Sequence, residues 1–286
     1  MTPAQRLREL IATGEPIAAP GAAEPLTARL VEQAGFPAVY MTGFGATAIR
    51  LGTPDIGLLT QTEMSDHARN MTRAVGIPVI ADADNGYGGP SNIERTVHEY
   101  IQAGVAALHL EDQSSPKRCG HMAGIRLLDS GSSVRRIAAA VEARGSDELV
   151  IIARTDALGV SGMLDAIERA SMYRDSGADM VFIDGVKRIA EVEEIAKRVE
   201  GPKVLPIVAG AETERLTLDD ARELGFSIVL YALDALFAAT KAAAETLAAM
   251  RQAGRSVRDE RALGYEEFQR MVGIEHHQDL DHRFGG

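Results

Sequence analysis

Eight short apolar runs alternate with amphipathic segments along this chain, and that alternation leaves few folds open. The runs fall at residues 16–20, 38–42, 78–82, 107–111, 149–155, 180–184, 203–208 and 227–231. Between most of them lie stretches with helical periodicity, at 26–34, 63–75, 93–103, 134–143, 163–176, 189–199 and 218–224. A strand that reaches its parallel neighbour through a helix does so by a right-handed crossover. Eight such units in about 250 residues is the count of a (β/α)8 barrel.

The run Ile77-Pro-Val-Ile-Ala-Asp82 is apolar on both faces until its last residue, as a parallel strand covered by helices must be. An open doubly wound sheet is the competing arrangement. No G-x-G-x-x-G turn follows the first strand, which counts against it. Tryptophan is absent and aromatics make up 5% of the chain, while alanine and glycine are plentiful, so helices can approach a sheet closely. No linker, low-complexity tract or domain-scale repeat breaks the pattern. Residues 1–286 therefore read as one barrel domain, with 232–286 as a C-terminal helical extension. Within it, residues 232–254 are too apolar for a solvated appendage and are expected to pack on the barrel or on another subunit.

The formal charge of −11 argues against a nucleic-acid or anionic-membrane partner. It leaves room for an anionic small molecule, because a local metal ion or arginine overrides the global field. No run of 18 apolar residues is present, so no membrane span is expected. The single cysteine, Cys119, cannot form an internal disulfide. A reducing, cytoplasmic setting is the expectation.

Chemistry in a parallel α/β protein sits at the C-terminal ends of strands. Three acid-bearing segments meet there in this chain. Asp55 follows the second strand, Asp82 and Asp84 end the third, and Glu111 and Asp112 end the fourth. Carboxylates crowded into one cleft repel one another unless a cation compensates. An oxygen-rich, histidine-poor set favours Mg²⁺, or Mn²⁺, over zinc. Arg154 closes the fifth strand, where an arginine must pair, either with a substrate carboxylate or with Asp156 or Glu111. Cys119 is flanked by Lys117, Arg118 and His121, cations expected to lower its pKa and favour thiolate. Gly120, Gly124 and Gly131 suit a mobile loop. His67, His98 and His109 lack ligand spacing and read as structural.

Together these residues resemble the isocitrate lyase/phosphoenolpyruvate mutase superfamily, from about residue 16 to 251. The matching motifs are Tyr40-Met-Thr-Gly, Leu51-Gly-Thr-Pro-Asp55, Ala81-Asp82-Ala-Asp84-Asn-Gly-Tyr-Gly-Gly, Glu111-Asp-Gln, Lys117-Arg-Cys119-Gly-His121 and Ala153-Arg154-Thr-Asp156. The Lys-Arg-Cys-Gly-His loop is similar to that of the carbon–carbon lyases; the mutases carry Asn-Ser there. The resemblance implies a Mg²⁺-dependent barrel forming a homotetramer from dimers that exchange a C-terminal helix. It also implies that Asp82 binds the ion, with Asp55, Asp84 and Glu111 holding its waters. Thr42, the amides of Gly43 and Phe44, and Arg154 would take a pyruvate-like carboxylate. Tyr40, Asp82, Arg118, Gly120 and Asp184 would line the same small-molecule site. Cys119 would be the general acid, within a catalytic group of Lys117, His121 and Arg154.

The chain departs from the methylisocitrate lyase pattern at Asp184, Gly210 and Glu212, and more mildly at Thr42. Asp184 replaces a glutamate, and an Asn-Ile-Thr-Glu run falls on Gly210-Ala211-Glu212-Thr213. Thr42, in place of a serine, is a milder change. Glu212 is expected to repel an anion in the distal pocket, which points to a smaller or less anionic 2-hydroxyacid. A phosphonate mutase, an oxaloacetate decarboxylase or hydrolase, and a non-catalytic barrel are the alternatives.

Overall fold

The computed structural model describes residues 1–260 and 262–285. Eight strands, β1 (Ile17–Ala22), β2 (Val39–Met41), β3 (Val79–Asp82), β4 (Ala107–Glu111), β5 (Val150–Thr155), β6 (Met180–Ile183), β7 (Lys203–Ile207) and β8 (Ile228–Tyr231), pair in parallel in sequence order. β8 returns to β1 and closes the barrel, with Ile17 opposite Ile228. The strand–helix alternation of the sequence is realised as a (β/α)8 barrel, with every strand within two residues of its expected place.

The helices are α1 (Pro3–Ala12), α2 (Pro25–Gln33), α3 (Gly43–Leu51), α4 (Gln61–Ala74), α5 (Pro90–Ala103), α6 (Ser130–Arg144), α7 (Met163–Asp175), α8 (Ile189–Arg198), α9 (Leu218–Glu223), α10 (Asp234–Ala253), α11 (Tyr265–Met271) and α12 (Ile274–Phe284). Local chemistry sets several starts. Thr2 with Gln5 and Thr60 with Glu63 form reciprocal capping boxes on α1 and α4. Pro25 and Pro90 open α2 and α5, where a missing N–H costs nothing.

Period-two alternation divides the core. Ile17, Tyr40, Ile80, Ala107, Val150, Ile152, Met180, Phe182 and Ile228 fill the barrel interior. Their sequence neighbours face the helices, as Val39, Val79, Leu108 and Ile151 do. α1 plugs the N-terminal mouth, with Leu7 fully buried in the interior cluster.

The chain divides into two compact units, residues 1–236 and 237–286, with the boundary inside α10. None of α10's residues is buried. No helix among the described residues is long and apolar enough to cross a membrane.

Candidate active site at the C-terminal rim

The alternation that fills the barrel also arms its rim. Counting by twos from the interior core, β2 leads through Tyr40 to Thr42, β3 through Ile80 to Asp82, and β4 through Ala107 and His109 to Glu111. β5 leads through Val150 and Ile152 to Arg154, and β6 through Met180 and Phe182 to Asp184. The inward face is mostly apolar, with His109 and the Tyr40 hydroxyl its polar groups, and turns charged at the strand ends. Thr42, Asp82, Arg154 and Asp184 line one cleft with Tyr40, Phe44, Asp55, Lys117, Cys119, Gly120 and His121. Glu111 lies against Arg154, and Asp84 against Lys117.

Six buried carboxylates, Asp55, Asp82, Asp84, Glu111, Asp156 and Asp184, share this rim with two buried cations, Lys117 and Arg154. The Lys117 ammonium sits 2.7 Å from Asp55 and 2.5 Å from Asp84. The Arg154 guanidinium lies 2.6 Å from Asp184, 2.8 Å from Asp156 and 3.5 Å from Glu111. Two cations do not neutralise six acids. Burial pushes the Asp84 carboxyl up to about 6, against the pull of Lys117 and with the push of Asp82 and Asp55. Burial likewise lifts Glu111 well above the usual carboxylate range despite Arg154. Burial would raise Asp184 too, but Arg154 and His121 hold it well below that range.

This surplus is what a divalent cation relieves. Glu111 Oε1 is buried with no hydrogen-bond partner. Asp84 adopts a left-handed backbone, φ 46°, a conformation that non-glycine residues rarely take and that clusters at functional sites. All the donors are oxygens, which suits Mg²⁺ or Mn²⁺. Among the described residues no three carboxylate, imidazole or thiol groups form a ready-made ligand set. A cation here would therefore touch few side chains and keep several waters, as Mg²⁺ does. The residues fit such an ion.

The start of α3 supplies a second recognition element. Thr42 is its N-cap, and the Gly43 N–H donates to Asp82 Oδ2 at 3.2 Å. A Cβ at position 43 would collide with that carboxylate, so glycine alone permits the approach. A helix N-terminus favours an anion.

Below the acids, Tyr40 Oη and His109 Nε2 lie 3.0 Å apart, and His109 Nδ1 is 3.6 Å from Asp82 Oδ1. Burial lowers His109 to about 4, so the imidazole is neutral. Tyr40, His109 and Phe182 come from the even-numbered strands β2, β4 and β6, with ring centroids 5.6 and 5.7 Å apart. The histidine read as structural thus underlies the acid expected to bind the ion. Its inward place on β4 was the available signal.

The thiol arrives on a loop that leaves β4 and returns through an antiparallel bridge between Gln113 and Leu127. The Cys119 N–H donates to Asp55 O at 3.1 Å, which fixes the thiol residue beside the acid cluster. His121 Nε2 lies 3.5 Å from Asp184 Oδ1. Gly120 presses so close to Asp184, Asp156 and Arg154 that a Cβ there would overlap all three.

Three expectations are corrected. Burial pushes the Cys119 thiol up to about 11 rather than down, because the expected cations are otherwise engaged. Lys117 is spent on Asp55 and Asp84. Arg118 is exposed and runs past Gly124, away from the cleft, so it does not line the site either. Glu212, expected to face the distal pocket, is exposed and accepts from the Ile189 N–H at the start of α8. Gly210 is likewise exposed. The apolar lining of the cleft comes from Phe182, Pro206, Val208, Leu230, Ala232 and Leu233.

Residues 7–251 match the phosphoenolpyruvate phosphomutase family. A 2,3-dimethylmalate lyase from Eubacterium barkeri is 38% identical over 291 residues, covering 99% of both chains. A solved oxaloacetate acetylhydrolase in complex with the inhibitor 3,3-difluorooxalacetate superposes with a TM-score of 0.93 at 36% identity, covering 100% of this chain and 98% of that one. A phosphonopyruvate hydrolase in complex with oxalate and Mg²⁺ gives 0.90 at 32% identity, covering 99% of each. Motif order, closed barrel and acid-lined rim therefore agree with these likenesses: the chain belongs to the phosphoenolpyruvate phosphomutase family, within the isocitrate lyase/phosphoenolpyruvate mutase superfamily of enzymes.

Proposed function

We propose that this protein is a Mg²⁺-dependent carbon–carbon lyase that cleaves a 2-hydroxy dicarboxylate to a 2-oxo acid and a second carboxylic acid. One observation carries the reading: a thiol held protonated by burial faces, across one small cleft, a carboxylate cluster short of positive charge. Asp82 would hold the ion directly, and Asp55, Asp84 and Glu111 would hold its waters. When bound, the ion would acidify the substrate hydroxyl and stabilise the carbonyl that replaces it. Arg154 and the amides at the start of α3 orient the substrate's carboxylate beside that hydroxyl, with Tyr40 and Thr42 beneath. Lys117 keeps Asp55 and Asp84 in place. As C2–C3 breaks, its electron pair stays on C3, and the Cys119 S–H protonates that carbon. The hydroxyl proton would pass to an ionised carboxylate of the rim and return through water to the Cys119 sulfur, so the proton lost at oxygen balances the one gained at C3. His121 and Gly120 close over the cleft beside Asp184.

The substrate's distal arm would meet the apolar lining of the cleft, which supports a dicarboxylate over a tricarboxylate. Among the described residues lining the cleft, the lysine and arginine are Lys117, which already serves two carboxylates, and Arg154, which serves three, so neither has charge to spare for another anionic arm. The test is 2-oxo acid release from 2,3-dimethylmalate and citramalate against 2-methylisocitrate and isocitrate. The dicarboxylates should turn over with the higher kcat/KM; preference for a tricarboxylate would contradict the pocket argument. Oxaloacetate belongs in the panel because of the likeness to oxaloacetate acetylhydrolase. Its hydrolysis should survive Cys119→Ser, whereas lyase turnover should not.

Assembly belongs to the same proposal. α10 buries none of its residues and exposes Phe237 and Leu247. This supports residues 232–286 as an extension of a single barrel domain, exchanged between subunits of a homotetramer. Sedimentation analysis would give a tetramer, and truncation after residue 231 would leave smaller species. A reducing cytoplasm would keep the Cys119 thiol free.

A further inference from the structure

Gln113 is only 1% exposed, carries no charge and is not among the residues lining the cleft. Its carboxamide is nevertheless engaged at both ends. Oε1 accepts from the Arg118 N–H at 2.8 Å, and Nε2 donates to Arg118 O at 2.8 Å, a two-point grip on the backbone next to Cys119. The same Nε2 donates to Asp156 Oδ2 at 3.0 Å. The other oxygen of Asp156 takes the Arg154 guanidinium at 2.8 Å. Asp156 is in turn fixed from behind: its N–H donates to Asp112 Oδ1 at 3.0 Å, and Asp112 Oδ2 accepts from Thr155, Tyr173 and Arg169.

We infer that Gln113 is a positioning residue: a clasp that ties the Cys119 loop to the Arg154–Asp156 pair, so that the thiol is aligned only when Arg154 is in place. The loop's other fastenings run elsewhere: backbone bonds at its stem, Ser114 to Arg126 and Leu128 to Asp112, the Cys119–Asp55 contact, Lys117 on Asp55 and Asp84, Ser115 on Asn85, and His121 beside Asp184. Gln113 is the side chain that joins the tip to the strand bearing Arg154. A carboxylate arriving at Arg154 competes with Asp156 for the guanidinium. Asp156 is bonded to Gln113, so the exchange is transmitted to Arg118 and thence to Cys119. Neither a carboxylate nor an aliphatic chain at position 113 can do this: glutamate lacks the donor, and leucine lacks both groups.

The inference rests on Cys119 being the acid, but its test does not need turnover. Cys119 is the lone cysteine, so iodoacetamide labelling followed by mass spectrometry reports on that residue alone. In the full-length protein with Mg²⁺, oxalate should slow labelling by occupying Arg154. Gln113→Ala should label about tenfold faster, and oxalate should no longer slow it although calorimetry still detects oxalate binding. Gln113→Glu, which keeps the size and the acceptor, should behave the same way and carries the test if the alanine variant folds poorly. A 2-oxo acid release assay should show kcat down about 100-fold with KM little changed. A folded variant that labels at the wild-type rate, or is still protected by oxalate, overturns the clasp. Faster labelling with undiminished release supports the clasp and removes Cys119 from the acid role.

Discussion

The two ends of the barrel hold charge in opposite ways. At the N-terminal end, Arg8 donates to Glu148 O at 2.8 Å and Leu149 O at 3.1 Å and pairs with Asp179 at 3.0 Å. Asp179 also pairs with Arg144 and accepts from the Ile151 N–H at 2.8 Å. Each group there has partners, and the whole pins α1 over the barrel's mouth. At the C-terminal rim, six buried carboxylates face two buried cations, and Glu111 Oε1 has no partner at all. A fully paired network reads as structure. A buried, under-neutralised one is costly to keep unless a ligand supplies the missing charge.

Substitutions at the two ends should separate along that line. The largest effect is expected from Asp82→Asn. Loss of the acid that meets the α3 amide should weaken Mn²⁺ binding by roughly 100-fold or more, measured by calorimetry, and turnover should fall with it. The melting temperature should hold or rise, because one charge leaves an over-acidic rim. A folded Asp82→Asn protein that binds Mn²⁺ as tightly as wild type would break the comparison.

Next comes the thiol. With its pKa raised to about 11, Cys119 is protonated throughout the neutral range, and the reactive thiolate grows only as pH approaches that value. Alkylation of the metal-free protein should therefore climb about tenfold per pH unit from 7 to 10. A plateau near pH 8 would show an ordinary, exposed cysteine and would remove the reason for calling it an acid. The sign matters for catalysis: a general acid works in its protonated form, so acid-dependent turnover is present at neutral pH and is lost as pH rises through about 11.

The smallest effect is expected at the other end. Arg8→Ala removes a partly exposed but multiply bonded guanidinium, so stability should fall by about 1 kcal/mol, read by urea unfolding. Metal affinity and turnover should stay at wild-type values. If Arg8→Ala weakened Mn²⁺ binding, the two ends would be coupled and the division between them wrong.

Much of this was legible in the residues. Strand β4 spans the expected residues 107–111 because an apolar run stops abruptly at a carboxylate. β2 ends at Met41, one residue short of the expectation, because Thr42 leaves the strand to cap α3. The acids were legible because a buried parallel strand gives few places for a carboxylate other than its end. Loop side chains were harder. Arg118 and Lys117 are neighbours with equal charge, yet Lys117 turns inward to two acids and Arg118 outward to solvent, a choice made by partners far away in sequence. The thiol's raised pKa follows first from its burial, which is likewise set by the fold around the loop. Alignment with the family's seventh-strand motif puts Glu212 in the pocket, but the N-terminus of α8 offers its carboxylate a better partner. Gln113 stands in the Glu111-Asp-Gln motif and His109 on the inward face of β4, but what each does depends on partners elsewhere in the chain, Arg118 and Asp156 for the amide and Tyr40 and Asp82 for the imidazole.

The most direct measurement is 2-oxo acid release from 2,3-dimethylmalate by the wild-type protein and Cys119→Ser, each with Mg²⁺ and with EDTA. The account predicts release by the wild type with Mg²⁺, none with EDTA, and a loss of about 100-fold or more in the mutant while its Mn²⁺ affinity is unchanged. Release that persists in EDTA, or at the wild-type rate in Cys119→Ser, would contradict it.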